Sequence, residues 1–349
     1  MKCHGCLKAI RSDLFCSKCK KELFGGINVK PLDFDKEAFY KTQSEMAGRM
    51  SISGVQDKIS LRLEGDKLVP TEQDGRYILK PVPATDRIEH KESIAANEHL
   101  SMQISRQIFG INTALSALIP FNDGELAYVT RRFDYAGDGT KLDQEDFASV
   151  LSLTEDSAGK NYKYKGSYEQ IAIALKRFVP ASLPALEDFY LRIILNYLIA
   201  NGDAHMKNFS LYRPEGREDY TLTPSYDLLF TRYHVKETFG DMGLDLFRDT
   251  ETRSFSAMGC YTLEDFEVFA ESIGIPQKRL TKMFAKIVSH TPGVAELTER
   301  SFLDQKAKSD YIGNYTERLE KRLQYIIGGE YDYGSKLLPV IEKAKEKLR

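Results

Sequence analysis

The stretch that decides the fold is Asn201-Gly202-Asp203-Ala204-His205-Met206-Lys207-Asn208. It follows the run Phe189 to Ala200, which is apolar on nearly every face and so predicts a buried helix. Gly202 breaks that run, and Asp, His, Lys and Asn crowd into the next few positions. Phe209-Ser210-Leu211-Tyr212 then alternates as a strand does, Tyr220-Thr221-Leu222-Thr223 gives a second short strand, and Pro224-Ser225-Tyr226-Asp227 follows. Two carboxylates and one amide thus fall on a loop and just past a hairpin, with Asp203 and Asn208 five positions apart.

Phosphoryl transfer from ATP asks for this arrangement. One Asp accepts the proton of the acceptor hydroxyl, while an Asn on the same loop and an Asp after a hairpin hold magnesium against the phosphates. Carboxylate and amide oxygens are hard ligands suited to that ion. The plainer alternative is a polar helix-to-strand loop, since Asp and Asn are ordinary turn residues.

The remaining composition narrows the classes. With 349 residues, 42% hydrophobic and 29% charged, the chain has the makings of a soluble globular protein with two or three folding units. A formal net charge of −2 gives no global pull toward nucleic acid or membrane. No apolar run approaches the roughly 18 residues of a membrane span. No apolar signal core follows Met1-Lys2-Cys3-His4, so the expected location is the cytoplasm.

Four of the five cysteines lie in two pairs at the start, Cys3-His4-Gly5-Cys6 and Cys16-Ser17-Lys18-Cys19. Two such pairs suit one tetrahedral Zn2+ bound by Cys3, Cys6, Cys16 and Cys19. Disulfides are disfavoured in a reducing compartment. Nearby lysines would ease the charge of four thiolates, and the same basic character leaves contact with DNA or a partner open.

Beyond this knuckle, a short helix is expected over Asp33 to Thr42. A small-residue loop, Ser51-Ile52-Ser53-Gly54-Val55-Gln56-Asp57-Lys58, then feeds strands over Ile59 to Leu63 and Lys67 to Pro70. Such a loop presents backbone N–H groups to phosphates or is a plain surface turn. The strand Gly75 to Pro81 carries Lys80, placed as a cation for ATP phosphates, and Glu98 sits in the helix expected from Lys91 to Phe109. A carboxylate among Ile94, Ala95, Leu100 and Met102 calls for a partner, and Lys80 is available. Leu115 to Phe121 and Glu125 to Phe133 form the next hairpin about Asn122-Asp123-Gly124. Helices are expected over Gln144–Leu151, Tyr168–Phe178, Glu187–Ala200, Leu263–Ser272, Pro276–Ser289, Lys306–Ile327 and Lys336–Leu348. This segregation predicts an α+β, two-lobed protein-kinase-like fold with a strand-rich N-lobe, an all-helical C-lobe and a small N-terminal zinc knuckle. The boundaries are expected at 1–25 for the knuckle, 26–132 for the N-lobe and 133–349 for the C-lobe.

Taken together, Ser51 to Lys58, Tyr77-Ile78-Leu79-Lys80-Pro81, Arg132-Phe133-Asp134, Gln144-Glu145-Asp146-Phe147, Gly166-Ser167-Tyr168-Glu169, Asn201 to Asn208 and Pro224-Ser225-Tyr226-Asp227 resemble the HipA family of serine/threonine kinase toxins. The resemblance covers roughly residues 45 to 330 and is nearest to the short HipT-like branch, because only about 50 residues precede the serine-containing loop. It implies Asp203 as the catalytic residue and Asn208 and Asp227 as Mg2+ ligands. For ATP it implies Ser53, Gly54, Val55, Gln56, Lys58, Lys80, Glu98, His205 and Lys207, with backbone at Arg131 and Phe133 holding adenine. It further implies autophosphorylation at Ser51 or Ser53, a HipB-like DNA-binding antitoxin, a small HipS-like protein and an aminoacyl-tRNA synthetase as substrate. DNA would be met through the antitoxin, and no membrane is involved. Two features depart from the family pattern: Arg131-Arg132 where Glu-Arg is expected, and the cysteine knuckle itself. The competing reading is a catalytically silent, zinc-containing module that represses transcription with a DNA-binding partner.

Overall fold

The computed structural model describes residues 1–47, 57–86, 88–235 and 242–323, together with residues 339, 343 and 346. Its N-terminal lobe is built on a five-stranded antiparallel sheet in the order β2-β1-β3-β5-β4. The strands are β1 Ile59–Glu64, β2 Lys67–Pro70, β3 Tyr77–Lys80, β4 Ser116–Pro120 and β5 Leu126–Arg131. Tyr77 stands opposite Arg131 and Lys80 opposite Tyr128.

The pleat sorts the side chains. Successive residues of a strand point to opposite faces, so Tyr77, Leu79, Ala117, Ile119, Ala127 and Val129 share one core cluster. That cluster also takes in Cys3, Phe15 and Cys19 of the knuckle, with Leu23 and Phe24 of helix α1 (Ser17–Phe24) and Phe39 of helix α2 (Lys36–Ala47). Leu118 and Tyr128 belong to the other face, with Leu100 and Met102 of helix α3 (Ile94–Gln103). All ten α3 residues are buried, because the helix lies between this sheet and the second lobe. The knuckle and α3 therefore sandwich the sheet.

The second lobe is mostly helical and surrounds Ser182–Leu198, whose residues from Phe189 onward are buried except Leu191. Helices Tyr168–Phe178, Leu263–Ser272, Gln277–Ser289, Thr291–Arg300 and Gln305–Glu317 pack about it. It also carries a small antiparallel sheet in the order β6-β7-β8: Gln144–Asp146, Ser210–Tyr212 and Thr221–Leu222. The helix expected from Gln144 is thus corrected to a strand followed by one turn, Phe147–Val150. Asp146 accepts from the Ser149 amide at 3.0 Å, capping that turn, while β6 pairs with β7. The expected helix over 336–348 lies almost wholly outside the described residues. No described helix is long and apolar enough to cross a membrane.

Candidate active site

The buried helix ends where its backbone turns left-handed at Ala200, φ 51°. A non-glycine residue there costs about 1 kcal/mol, so surrounding bonds must hold it. Thr231 supplies one: its hydroxyl donates to the Ala200 carbonyl at 3.0 Å and accepts from the Gly202 amide at 2.7 Å. Asn201 supplies the link across the site. Its Nδ2 donates to Asn196 Oδ1 at 2.7 Å and to the Asp227 carbonyl at 3.3 Å. Asp227 is itself left-handed, φ 55°. The loop and the residue after the hairpin are thereby fixed to one another.

Asp203 is exposed. Its Oδ1 accepts from the Tyr164 hydroxyl and lies 3.9 Å from His205 Nε2. Burial pushes the His205 imidazole down to about 4, so it is neutral at pH 7. Its Nδ1 is buried without a hydrogen-bond partner among the described residues, the kind of orphaned atom a bound ligand satisfies. Asn208 Oδ1 accepts from the His205 amide at 3.2 Å. The Tyr226 hydroxyl donates to the Lys207 carbonyl at 2.8 Å and locks the end of the loop.

Across the cleft, Lys80 Nζ lies 2.7 Å from Glu98 Oε1 and 2.6 Å from Asp227 Oδ1. The expected Lys80–Glu98 partnership is present, and Asp227 shares the same ammonium. Burial opposes the charge of Lys80, but Asp227 and Glu98 outweigh it and raise its pKa. Burial also raises Glu98, to about 7, against the pull of Lys80. For Asp227 the burial cost is overcome by Lys80 and Lys58, and its pKa falls. Nearly half of the Asp227 side chain remains open to solvent, at 45% exposure, against 2% for Glu98. These directions describe one cation between two carboxylates. Asp227 is the charged partner, and Glu98 is left with less than a full counter-charge.

Lys58 is half-buried, and burial lowers its pKa against the attraction of Asp227. Lys207 turns toward Asp146 Oδ2 at 3.6 Å and the Tyr162 hydroxyl at 3.5 Å. Phe133 packs on Tyr226 with ring centroids 5.6 Å apart. The Arg131 amide donates to the Leu115 carbonyl at 2.8 Å, and its guanidinium donates to the Glu22 carbonyl at 2.7 Å, so this residue ties the sheet to α1. Ser51, Ser53, Gly54, Val55 and Gln56 lie outside the described residues. Lys80, Glu98 and Asp227 form one contacting group and Asp203, His205 and Asn208 another; Asn201 ties the loop to Asp227, and Lys58 and His205 lie within electrostatic reach of Asp227.

The sequence assigns no role to Tyr164, Thr231 or Gly243, and names Asn201 only as the start of the loop motif. Gly243 sits so tightly under the loop that an added Cβ would stand 2.6 Å from the Ala204 backbone. Only Asn201, by adjoining the Asp, had a local signal.

In the knuckle, the four Sγ atoms of Cys3, Cys6, Cys16 and Cys19 all lie within 4.8 Å of one another, and Cys6 and Cys16 are 3.7 Å apart. A zinc with Zn–S bonds of about 2.3 Å separates its sulfurs by about 3.8 Å, so the donor set fits. Gly5 is required here because a Cβ would meet Cys19 Sγ at 2.7 Å.

The family described as HipA-like C-terminal domain matches residues 50–295. A Haemophilus influenzae protein named as a candidate kinase is 29% identical over 305 residues, covering 82% of this chain and 86% of that one. The serine/threonine-protein kinase toxin HipA of Shewanella oneidensis is 21% identical over 302 residues, 80% of this chain and 64% of that protein. Among solved structures, the complex of HipA, HipB and operator DNA from Shewanella oneidensis MR-1 contains a chain that matches with a TM-score of 0.56. That match has 17% identity and covers 93% of this chain and 74% of that one. This last likeness is one of fold.

Proposed function

We propose, for a chain that belongs to the family of HipA-like C-terminal domains, that it is an ATP-dependent serine/threonine protein kinase acting as the toxin of a HipA/HipT-type toxin–antitoxin pair. The observation that carries the reading is Lys80 held between Glu98 and Asp227, with Asp227 tied by Asn201 to the loop that carries Asp203 and Asn208. A silent binding module has no use for a buried lysine shared by two carboxylates.

In this reading Asp203 orients the acceptor hydroxyl and takes its proton. Lys80 meets the phosphates and is kept in place by Glu98. Asn208 and Asp227 would hold Mg2+, a choice their oxygen donors fit, and that ion would supply charge neutralisation at the phosphates. Exposure of Asp203 leaves room for an acceptor on a protein surface. The four knuckle thiols would hold Zn2+.

The finer parts of the proposal follow the family resemblance. The acceptor protein is a translation component such as an aminoacyl-tRNA synthetase. A HipB-like antitoxin and a small HipS-like protein are the partners, and the cytoplasm is the location. Ser51 or Ser53 is autophosphorylated. A phosphoserine adds about −1.5 to −2 charge near the ATP phosphates, which would lower nucleotide affinity. Replacing both serines with Asp and measuring ATP binding tests this: unchanged affinity contradicts it. The kinase reading itself is tested by magnesium-dependent transfer of phosphate from ATP to protein, lost in Asp203→Asn.

A further inference from the structure

The cysteine knuckle has no part in the chemistry above, yet it grips the helix that carries Glu98. His99 is buried, and its Nε2 donates to the Gly5 carbonyl inside the Cys3–Cys6 loop at 2.8 Å. Two further bonds reach the turn that continues α3: Gln107 Nε2 donates to the Cys6 carbonyl at 3.2 Å, and Arg106 pairs with Glu22 at 3.0 Å. The knuckle is also anchored on its other sides. His4 exchanges backbone and ring bonds with Leu118 of β4, the Tyr77 hydroxyl of β3 donates to the Leu23 carbonyl, and Lys2 Nζ donates to the Ser301 carbonyl of the helical lobe.

Neighbouring residues on a helix project roughly 100° apart. His99 and Glu98 therefore leave α3 on different sides, one to the knuckle and one to Lys80. On a further side Asn97 bonds to the Phe230 backbone through both its amide atoms. The rotation of α3 is set by these contacts. Cys3 and Cys6, which flank Gly5, stand with Cys16 and Cys19 in the four-sulfur cluster.

We propose that the metal-loaded knuckle is a positioning device for the ATP site, acting through the Gly5–His99 bond on helix α3 and so on the Glu98–Lys80 pair. His99 is its positioning residue, and the ligand of the knuckle is a thiophilic divalent cation of the zinc type. This inference rests on the kinase reading for its effect on ATP. The link between knuckle and helix stands apart from that reading.

The test uses the full zinc-loaded chain, the same chain stripped with a chelator, and the variants His99→Ala and His99→Gln. Hydrogen exchange is followed over residues 94–103, alongside KM and kcat for ATP. Stripping is expected to speed exchange in α3 and to raise the KM for ATP roughly tenfold, the scale on which groups just outside a metal site act. His99→Ala should raise KM similarly while zinc stays bound. His99→Gln, which keeps a donor for the Gly5 carbonyl, should recover most of the loss. The proposal is overturned if faster exchange stays within residues 1–25, or if KM is unchanged in both the stripped chain and His99→Ala. Should stripping unfold the chain, the two His99 variants decide. If the loaded wild type turns over no ATP, the kinase reading fails, and exchange in α3 alone decides whether the knuckle holds the helix.

Discussion

Replacing Glu98 with Gln should separate activity from stability. Glu98 is almost fully buried, with Oε1 2.7 Å from an ammonium that Asp227 also claims at 2.6 Å. Losing one carboxylate leaves Lys80 with a single counter-ion, so no buried charge is orphaned. Burial, ahead of the opposing pull of Lys80, raises Glu98 from 4.5 to about 7. A raised carboxylate binds its proton more tightly in the folded state than in the unfolded one. Its contribution is therefore most favourable below about pH 4.5 and is lost as pH rises toward 7. At 1.36 kcal/mol per pH unit, the loss is on the order of 3 kcal/mol. Denaturant unfolding should accordingly show the Gln variant gaining on wild type by up to about 3 kcal/mol between pH 4.5 and 7. Activity should move the other way. Lys80 would keep only a neutral amide acceptor on α3 and be drawn toward Asp227, and the charge-assisted bond so lost is worth about 1.5–3 kcal/mol. The kcat/KM for ATP, read from phosphate incorporation, should fall roughly 10- to 100-fold. A variant that loses about 3–5 kcal/mol at every pH, as when a buried ion pair is broken, and phosphorylates at the wild-type rate would refute the reasoning.

Three other perturbations probe the remaining parts of the site. Gly243→Ala places a Cβ 2.6 Å from the Ala204 backbone and should displace the Asp203 loop. It should lower kcat by about 100-fold with little change in ATP affinity measured by calorimetry. Gly5→Ala, whose Cβ would stand 2.7 Å from Cys19 Sγ, should weaken zinc binding at least about tenfold in a chromophoric chelator competition. Asn208→Ala should raise the magnesium concentration needed for half-maximal phosphorylation while leaving metal-free nucleotide binding unchanged, as titration with MgCl2 would show.

The parts of this fold that rest on local pattern were legible in the sequence. The alternation of β3 placed Lys80, the apolar run ending at Ala200 placed the loop, and glutamate among apolar α3 residues correctly called for Lys80. Two Cys-x-x-Cys pairs brought four sulfurs together. The rest depends on contacts between residues distant along the chain. Tyr164 reaches Asp203 from 39 positions away, and His99 meets Gly5 across 94. No periodicity encodes such pairings. Residues Gln144–Asp146, expected within a helix over Gln144–Leu151, form a strand instead. Their pairing with β7 depends on where that strand lies. The expectation for Arg131 concerns its backbone; its side chain spans to α1, a partner visible only once the knuckle folds back on the sheet.

The most direct measurement is the intact mass of the purified chain after incubation with Mg-ATP, beside Asp203→Asn treated identically. A kinase built on Asp203, Asn208, Asp227 and Lys80 should gain phosphate in the wild type, with little or none in the variant, and peptide mapping should locate it on Ser51 or Ser53. No gain in wild-type protein shown to begin unphosphorylated and zinc-loaded, or equal gain in both, would contradict it.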